Sequence, residues 1–290
     1  MEIDVALNQL AIITLNYNSY DKTKNQIDRL IEQGIPINCF YIVDNVSEDR
    51  EILKSFCTEK NLLFIQNDIN GGYAHGNNIA IKKALEEDKH YFLLLNPDIE
   101  ISAFTITQLL QTIKKNDTIG IIGPRIIDKY DRSLIFSDGG LLFPEKAFTG
   151  DHVHYEKTIQ EFPSFGLNYD IDYVNGSAML FTSKTIEING YMNEDFFMYY
   201  EESEWCYRLK TQSNFKLAID TDVVAYHEMS DKGSFYQYYM TRNQIWLTRM
   251  YNGDKNYLIK NSWTLVRRAI KKLNFNIIKA VYHGWTKKIN

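Results

Sequence analysis

Four short apolar runs in the first hundred residues, Leu10 to Leu15, Phe40 to Val43, Leu62 to Gln66 and Tyr91 to Leu95, each stop at a polar turn. The stretches between them, Lys22 to Gln33, Asp49 to Lys60 and Gly76 to Glu87, carry helical spacing; in the first, Ile27, Leu30 and Ile31 precede Gly34. This alternation confines the chain to an α/β fold, a doubly wound sheet whose parallel strands are joined by helical crossovers. The turns Asn16-Tyr17-Asn18, Asp44-Asn45, Asn67 to Gly72 and Asn96-Pro97-Asp98 then fall on one rim. Open α/β sheets bind ligands there, outside the carboxyl ends of the strands.

The second half is less regular. Strands are expected at Ile121 to Ile127, within Tyr173 to Phe181, and from Lys216 to Ala225 just before His227. A hairpin or excursion is expected from Gly139-Gly140 through His154, and a helix from Glu202 to Thr211. No linker marks a clean boundary, so one domain should run to about residue 250, its halves dividing near residue 100, followed by a helical tail over 251–290.

With 44% apolar residues among 290, the chain can bury a substantial core. Cys39, Cys57 and Cys206 form neither a disulfide framework nor a CxxC pattern, and are read as core thiols of a reducing cytoplasm. Met1 to Leu10 lacks the basic and apolar regions of a leader, and no run approaches the roughly 20 apolar residues of a membrane span. From Lys255 onward there are nine basic residues and no acidic one, which leaves 23 basic against 37 acidic, or −14, in the rest of the chain. Apolar and aromatic residues interleave with those cations. Two readings follow: a solvated helix packed on the body, or a basic amphipathic segment resting on an anionic membrane. An acidic body makes nucleic acid an unsuitable partner.

Asp98, at the end of a buried strand, suits a divalent cation held against a pyrophosphate, although Asn-Pro-Asp is also an ordinary turn. The cluster Glu201-Glu202-Ser203-Glu204 offers a general base, or else stabilises a helix start. Asn77 and Asn78 are read as a helix start, offering free N–H groups to phosphate or simply capping. Asp44 is suited to accept from the imide N3 of uracil or thymine.

Five segments in order, Ile42 to Ser47, Asn70 to Asn78, Leu95 to Asp98, Val174 to Leu180 and Phe196 to Arg208, resemble the family 2 inverting glycosyltransferases, especially their bacterial rhamnosyltransferase-like branch. The resemblance runs from about Ala11 to Leu247. It implies the GT-A fold, a Rossmann-like doubly wound mixed sheet. It also implies a catalytic domain that carries a sugar from a nucleotide donor to a lipid-linked or growing surface polysaccharide. The favoured donor is dTDP-L-rhamnose, with UDP-sugars next. By resemblance Glu202 is the catalytic base, standing where the family usually has Asp, with Glu201 and Glu204 as competitors. Asp98 and His227 hold Mg²⁺ or Mn²⁺, Asn96 replacing the first carboxylate of the family's DxD element. Donor contacts are assigned to backbone groups around Asn16 and Tyr17, with the Tyr17 ring for stacking, and to Asp44, Asn45, Gly72, Asn77, Asn96, Asp98 and Arg242. The acceptor pocket is assigned to Asn175, Gly176, Tyr200, Glu201 and Trp205. The expected location is cytoplasmic, peripheral at the inner membrane face through the tail. A sugar nucleotidyltransferase and a non-catalytic glycan-binding scaffold are the alternatives; the first usually has a Gly-rich basic loop after its first strand, absent from Asn16 to Tyr20.

Overall fold

The computed structural model describes residues 6–228 and 233–288. Glu2, Asp4 and the last two residues of the tail lie outside them. Strands β1 (Leu10–Asn16), β2 (Phe40–Asp44), β3 (Leu63–Gln66) and β4 (Tyr91–Leu95) alternate with helices α1 (Tyr20–Glu32), α2 (Arg50–Glu59) and α3 (Gly72–Glu86). All four strands pair in parallel, in the order β4-β1-β2-β3. The second half adds β5 (Glu100–Ile101), α4 (Ala103–Lys115), β6 (Ile119–Asp128), β7 (Ile135–Ser137), β8 (Gly140–Phe143), β9 (Thr149–His152) and β10 (Leu167–Asn168). Next come β11 (Ala178–Thr182), α5 (Ser183–Asn189), α6 (Glu201–Gln212), β12 (Lys216–His227) and α7 (Ser234–Met250).

Strand β11 lies antiparallel between β4 and β6, while β6 and β12 are parallel, so the sheet is mixed. Side chains alternate between its two faces, as the two-residue period of a strand requires. Ala11, Ile13, Phe92 and Leu94 enter the core shared with α3 and α6; Leu10, Ile12, Leu93 and Leu95 enter the core shared with α1, α2 and α4. Two boundaries differ from expectation. Helix α3 begins at Gly72 instead of Gly76, because the amide of Tyr73 donates to the Phe197 carbonyl and gives a first-turn N–H its partner. Strand β12 continues to His227, which is its last residue. The expected excursion is the hairpin β8-β9.

The tail is two helices, α8 (Lys255–Lys271) and α9 (Phe275–Thr286). Asp254 caps α8 by accepting from the amides of Asn256 and Tyr257. Gly284 lets α9 approach α7 closely: a Cβ there would sit 2.8 Å from Ile245 Cδ1 and 2.9 Å from its Cβ. The hairpin therefore packs on the body, yet Ile259, Trp263, Ile270, Leu273, Phe275 and Tyr282 remain exposed. No helix among the described residues is long and apolar enough to cross a membrane.

Beneath the excursion, Arg125 and Asp138 form a buried bidentate pair, with Nε–Oδ1 and Nη2–Oδ2 both 2.7 Å. His154 Nδ1 lies 2.8 Å from the same carboxylate. Removing one partner strands the other charge in the core. Asp138→Ala should therefore lower stability by about 3–5 kcal/mol, read as a drop in urea midpoint at unchanged m-value.

Candidate active site

The segment that delivers the acidic cluster is strained. Phe197, Tyr199 and Tyr200 have φ of 65°, 66° and 71°, a region that non-glycine residues enter at a cost. Its carbonyls are stapled from outside. Asn243 Nδ2 lies within 3.0 Å of the carbonyls of Phe196, Met198 and Tyr199, and Arg242 Nη2 donates to those of Asp195 and Phe196. From the opposite side, Gly72 adopts φ +86°, and any Cβ there would strike the Phe197 carbonyl. The staple fixes the start of α6 and so the direction of its first three acids.

Those acids have different environments. Glu204 is buried and committed: its Oε1 is 3.0 Å from Arg208 Nε and accepts from the Tyr251 hydroxyl at 2.6 Å. That pairing removes it from competition as a base. Glu201 is also buried, with Oε2 lacking a hydrogen-bond partner among the described residues. Burial, then the neighbouring Glu202 carboxylate, push its carboxyl well above the ordinary range, against a smaller opposing pull from Arg242. Glu202 is half-buried, and desolvation raises it too. It lies against the loop at Gly176, where a Cβ would be 3.3 Å from both Glu202 Cβ and Cγ.

That loop joins the acids to the strand rim. The buried Tyr73 hydroxyl donates to the Gly176 carbonyl, and the Asn96 amide to the Ser177 carbonyl at 2.9 Å. Burial raises the Tyr73 phenol far above its usual value, with further contributions from Glu201, Glu202 and Asp98. Asp98 and Glu202 are therefore electrostatic neighbours of one phenol. Asn175 sits in the same loop, its Oδ1 accepting from the amide and hydroxyl of Ser177.

Asp98 Oδ2 is 3.8 Å from His227 Nε2, too long for a hydrogen bond but short enough for one cation to touch both. Among the described residues, Asp98 Oδ1 and His227 Nδ1 are buried without hydrogen-bond partners. Burial lowers the His227 pKa, so the imidazole is kept neutral and able to ligate, and Phe136 packs on it at 4.9 Å. No group of three or more His, Cys, Asp or Glu is gathered for a metal among the described residues. The pair thus fits an ion such as Mg²⁺ that takes few protein ligands and leaves its other positions to phosphate oxygens and water.

Several residues assigned to ligands use their side chains to hold the rim together. Asn16 is fully buried, bonded to Ser47, Asp49 and Thr23. Asp44 is fully buried as well, accepting from the amides of Val46 and Ser47 and from Arg50 Nε at 2.7 Å, so no edge of it faces a base. Asn45 links Asn67, Asn70 and the Gly72 carbonyl. Asn77 and Asn78 lie inside α3 and bond to the carbonyls of Tyr73 and Met192, so neither begins the helix. Arg242 belongs to the staple, its Nη2 given to backbone carbonyls and its guanidinium stacked 4.1 Å from the Trp246 ring. Trp205 is a core residue, its indole N–H donating to the Gly190 carbonyl and its ring edge-on to Phe181. Tyr200 buries its hydroxyl on the Phe148 carbonyl. Tyr17, at 52% exposure, is the ring left free on the rim. Tyr73 was the site residue least visible beforehand; its only signal is its place within Asn70 to Asn78.

Against this geometry, the model of Glycosyl transferase family 2 matches residues 11–181, from β1 through β11. Over 290 aligned residues the chain is 29% identical to the low-salt glycan biosynthesis hexosyltransferase Agl10 of Haloferax volcanii, covering 96% of this chain and 83% of that one. Among solved structures, the mannosyltransferase PcManGT from Pyrobaculum calidifontis, in complex with GDP-Man and Mn²⁺, matches at TM-score 0.57 and 13% identity, over 97% of this chain and 88% of that one. GalNAc-T7 with UDP, GalNAc and Mn²⁺ matches at TM-score 0.60 and 13% identity, over 93% of this chain and 54% of that one. At such identity the two structures speak to the fold alone, an α/β mixed sheet of GT-A type. The family match spans more than half the chain and takes in the Asp98 turn, the Tyr73 segment and the Gly176 loop: the chain belongs to glycosyl transferase family 2 and is a glycosyltransferase.

Proposed function

We propose that this glycosyltransferase is inverting and metal-assisted, moving a hexose or deoxyhexose from a nucleoside-diphosphate donor to a hydroxyl of a lipid-linked or growing surface glycan. The reading is supported by the contacts that link the three elements: Glu202 lies against Gly176, whose carbonyl accepts from the Tyr73 hydroxyl, and the neighbouring Ser177 carbonyl accepts from the Asn96 amide in the Asp98 turn. The Glu202 carboxylate takes the proton of the acceptor hydroxyl as its oxygen bonds to the anomeric carbon. On the opposite face, the bond from that carbon to the donor phosphate oxygen breaks, and the nucleoside diphosphate departs with the electron pair. A divalent cation, Mg²⁺ or Mn²⁺, held by Asp98 and His227 would neutralise charge on the departing diphosphate. Asn96 adds a neutral amide to the same turn, and Tyr17 offers a surface for a base.

The donor preference rests on the motif resemblance, dTDP-L-rhamnose before UDP-sugars, and draws nothing from the inward-turned Asp44. The relative Agl10 is named for glycan biosynthesis, which agrees with a saccharide acceptor. The cationic tail supports work at the cytoplasmic face of a membrane, with residues 1–250 as the catalytic unit.

Glu202→Gln should cut acceptor-dependent turnover by about 10²- to 10⁴-fold while leaving nucleotide affinity unchanged; undiminished turnover would reject this base. In the wild type, kcat/KM should fall with acidification through a limb above the roughly 4.3 of a free glutamate, because the raised Glu202 carboxyl must be ionised to act.

The isosteric Glu201→Gln separates the neighbouring carboxyl. Glu201 binds its proton more tightly folded than unfolded, so its contribution to stability is complete at low pH and lost as pH rises through the raised folded value. The variant should therefore gain urea resistance over wild type at pH 8 and little at pH 5. Calorimetry with dTDP and UDP should find Mn²⁺-dependent affinity that Asp98→Asn abolishes; equal affinity with and without Mn²⁺ in both proteins would remove the metal from the reading.

A further inference from the structure

A groove of about 320 Å³ lies between α7 and the α8-α9 hairpin, lined by none of the acidic cluster. Its apolar lining comes from Met240, Leu265, Ala269 and Ile277, and two cations one helical turn apart, Arg268 and Lys272, also line it. Among the described residues neither side chain has an ion-pair or hydrogen-bond partner. Helices α7, α8 and α9 contain no acidic residue, so nothing on either wall competes for an anion brought to Arg268 and Lys272.

At one end the groove is lined by Tyr236. That ring packs edge-on to Tyr199 at 5.0 Å, in the strained segment directly before Glu201 and Glu202. One lining residue of the groove thus touches the segment that positions the acidic cluster. The outer face of α8 carries exposed apolar residues, Ile259, Trp263 and Ile270, 53%, 66% and 58% accessible. Lys260, Arg267 and Lys271 flank them. The turn into α9 exposes Leu273 and Phe275, at 75% and 72%, next to the groove residues Lys272 and Asn274. Exposed apolar residues bordered by cations suit an anionic bilayer surface.

We propose that this groove binds a lipid whose phosphate or diphosphate is bonded directly to a long hydrocarbon chain, of the polyisoprenyl phosphate class. The hydrocarbon lies on Met240, Leu265, Ala269 and Ile277, the phosphate oxygens meet Arg268 and Lys272, and the outer face of α8 rests in the membrane interface. The inference depends on the transferase reading above and says where its lipid-linked acceptor is held. Apolar walls and paired cations a single helical turn apart match a chain joined to its phosphate without an intervening bulky group. Arg268 is the stronger determinant of the two, since its planar fork engages two phosphate oxygens at once.

The test uses the full chain and vesicles of phosphatidylcholine doped either with a polyprenyl phosphate or with phosphatidylglycerol at equal surface charge. Wild type should bind the polyprenyl phosphate vesicles about tenfold more tightly. The double variant Arg268→Ala with Lys272→Ala should lose that preference, binding the two vesicle types alike, and groove-filling Ala269→Trp should do the same. Trp263→Ser with Ile270→Ser should weaken both. Equal affinity of wild type for the two vesicle types, equal loss on both by the double variant, or full competition by inorganic pyrophosphate would overturn the proposal. Nucleotide calorimetry on the same samples keeps the readings apart: nucleotide binding retained while the lipid preference is absent rejects the groove and leaves the transferase standing.

Discussion

Everything at the site depends on holding the segment from Phe196 to Tyr200 in a conformation it would not adopt alone. Three non-glycine residues at positive φ cost on the order of 1–3 kcal/mol each, so the segment persists only where its surroundings over-determine it. Asn243 and Arg242 supply that from α7, and the backbone of Gly72 and Tyr73 supplies it from α3. The staple spans two helices far apart in sequence. Its consequence is local: α6 starts at Glu201, and its first turn delivers three carboxylates into three different environments.

Environment, not chemistry, then sorts those carboxylates. Glu204 meets Arg208 across one helical turn and Tyr251 from the end of α7, which fixes it as a charged anchor. Glu201 meets apolar surroundings and is left with an oxygen unpartnered among the described residues. Glu202 faces the Gly176 loop with part of its surface open, the one position combining desolvation with access. An acid with a raised pKa and no access stores protons without using them; one with access exchanges them with a bound hydroxyl.

Much of this was legible beforehand because it is periodic. Buried parallel strands read as continuous apolar runs, and their polar turns had to share a rim, so the placement of Asp98 followed from Tyr91 to Leu95 alone. The Gly139 to His154 hairpin and the acidic helix start were visible for the same reason. What stayed hidden is non-local. Nothing near Ala178 announces that β11 enters antiparallel between β4 and β6, and nothing near Asp44 announces that Arg50 will draw its carboxylate inward. A rim asparagine such as Asn16 or Asn45 reads the same whether it meets a ligand or braces a turn; the partners Ser47, Asp49, Asn67 and Asn70 decide, and they come from other loops. Arg242 is ambiguous for a related reason: a guanidinium that suits phosphate also suits a row of strained carbonyls.

The tail packs on the body, and the membrane contact proposed for it falls to the face left outward. The face of α8 bearing Leu258, Ser262 and Ala269 is buried, and Gly284 brings α9 against Ile245, so the hairpin is part of the folded body. Had packing been its whole purpose, the outward face would be polar, since an exposed apolar patch gains nothing in water and invites association. Instead Ile259, Trp263 and Ile270 face outward beside Lys260, Arg267 and Lys271, while the acidic body keeps its net charge of −14 elsewhere. That separation of charge orients the molecule before contact. On the membrane reading proposed above, an anionic surface would attract the hairpin and repel the remainder within about a Debye length, so the molecule would approach hairpin first.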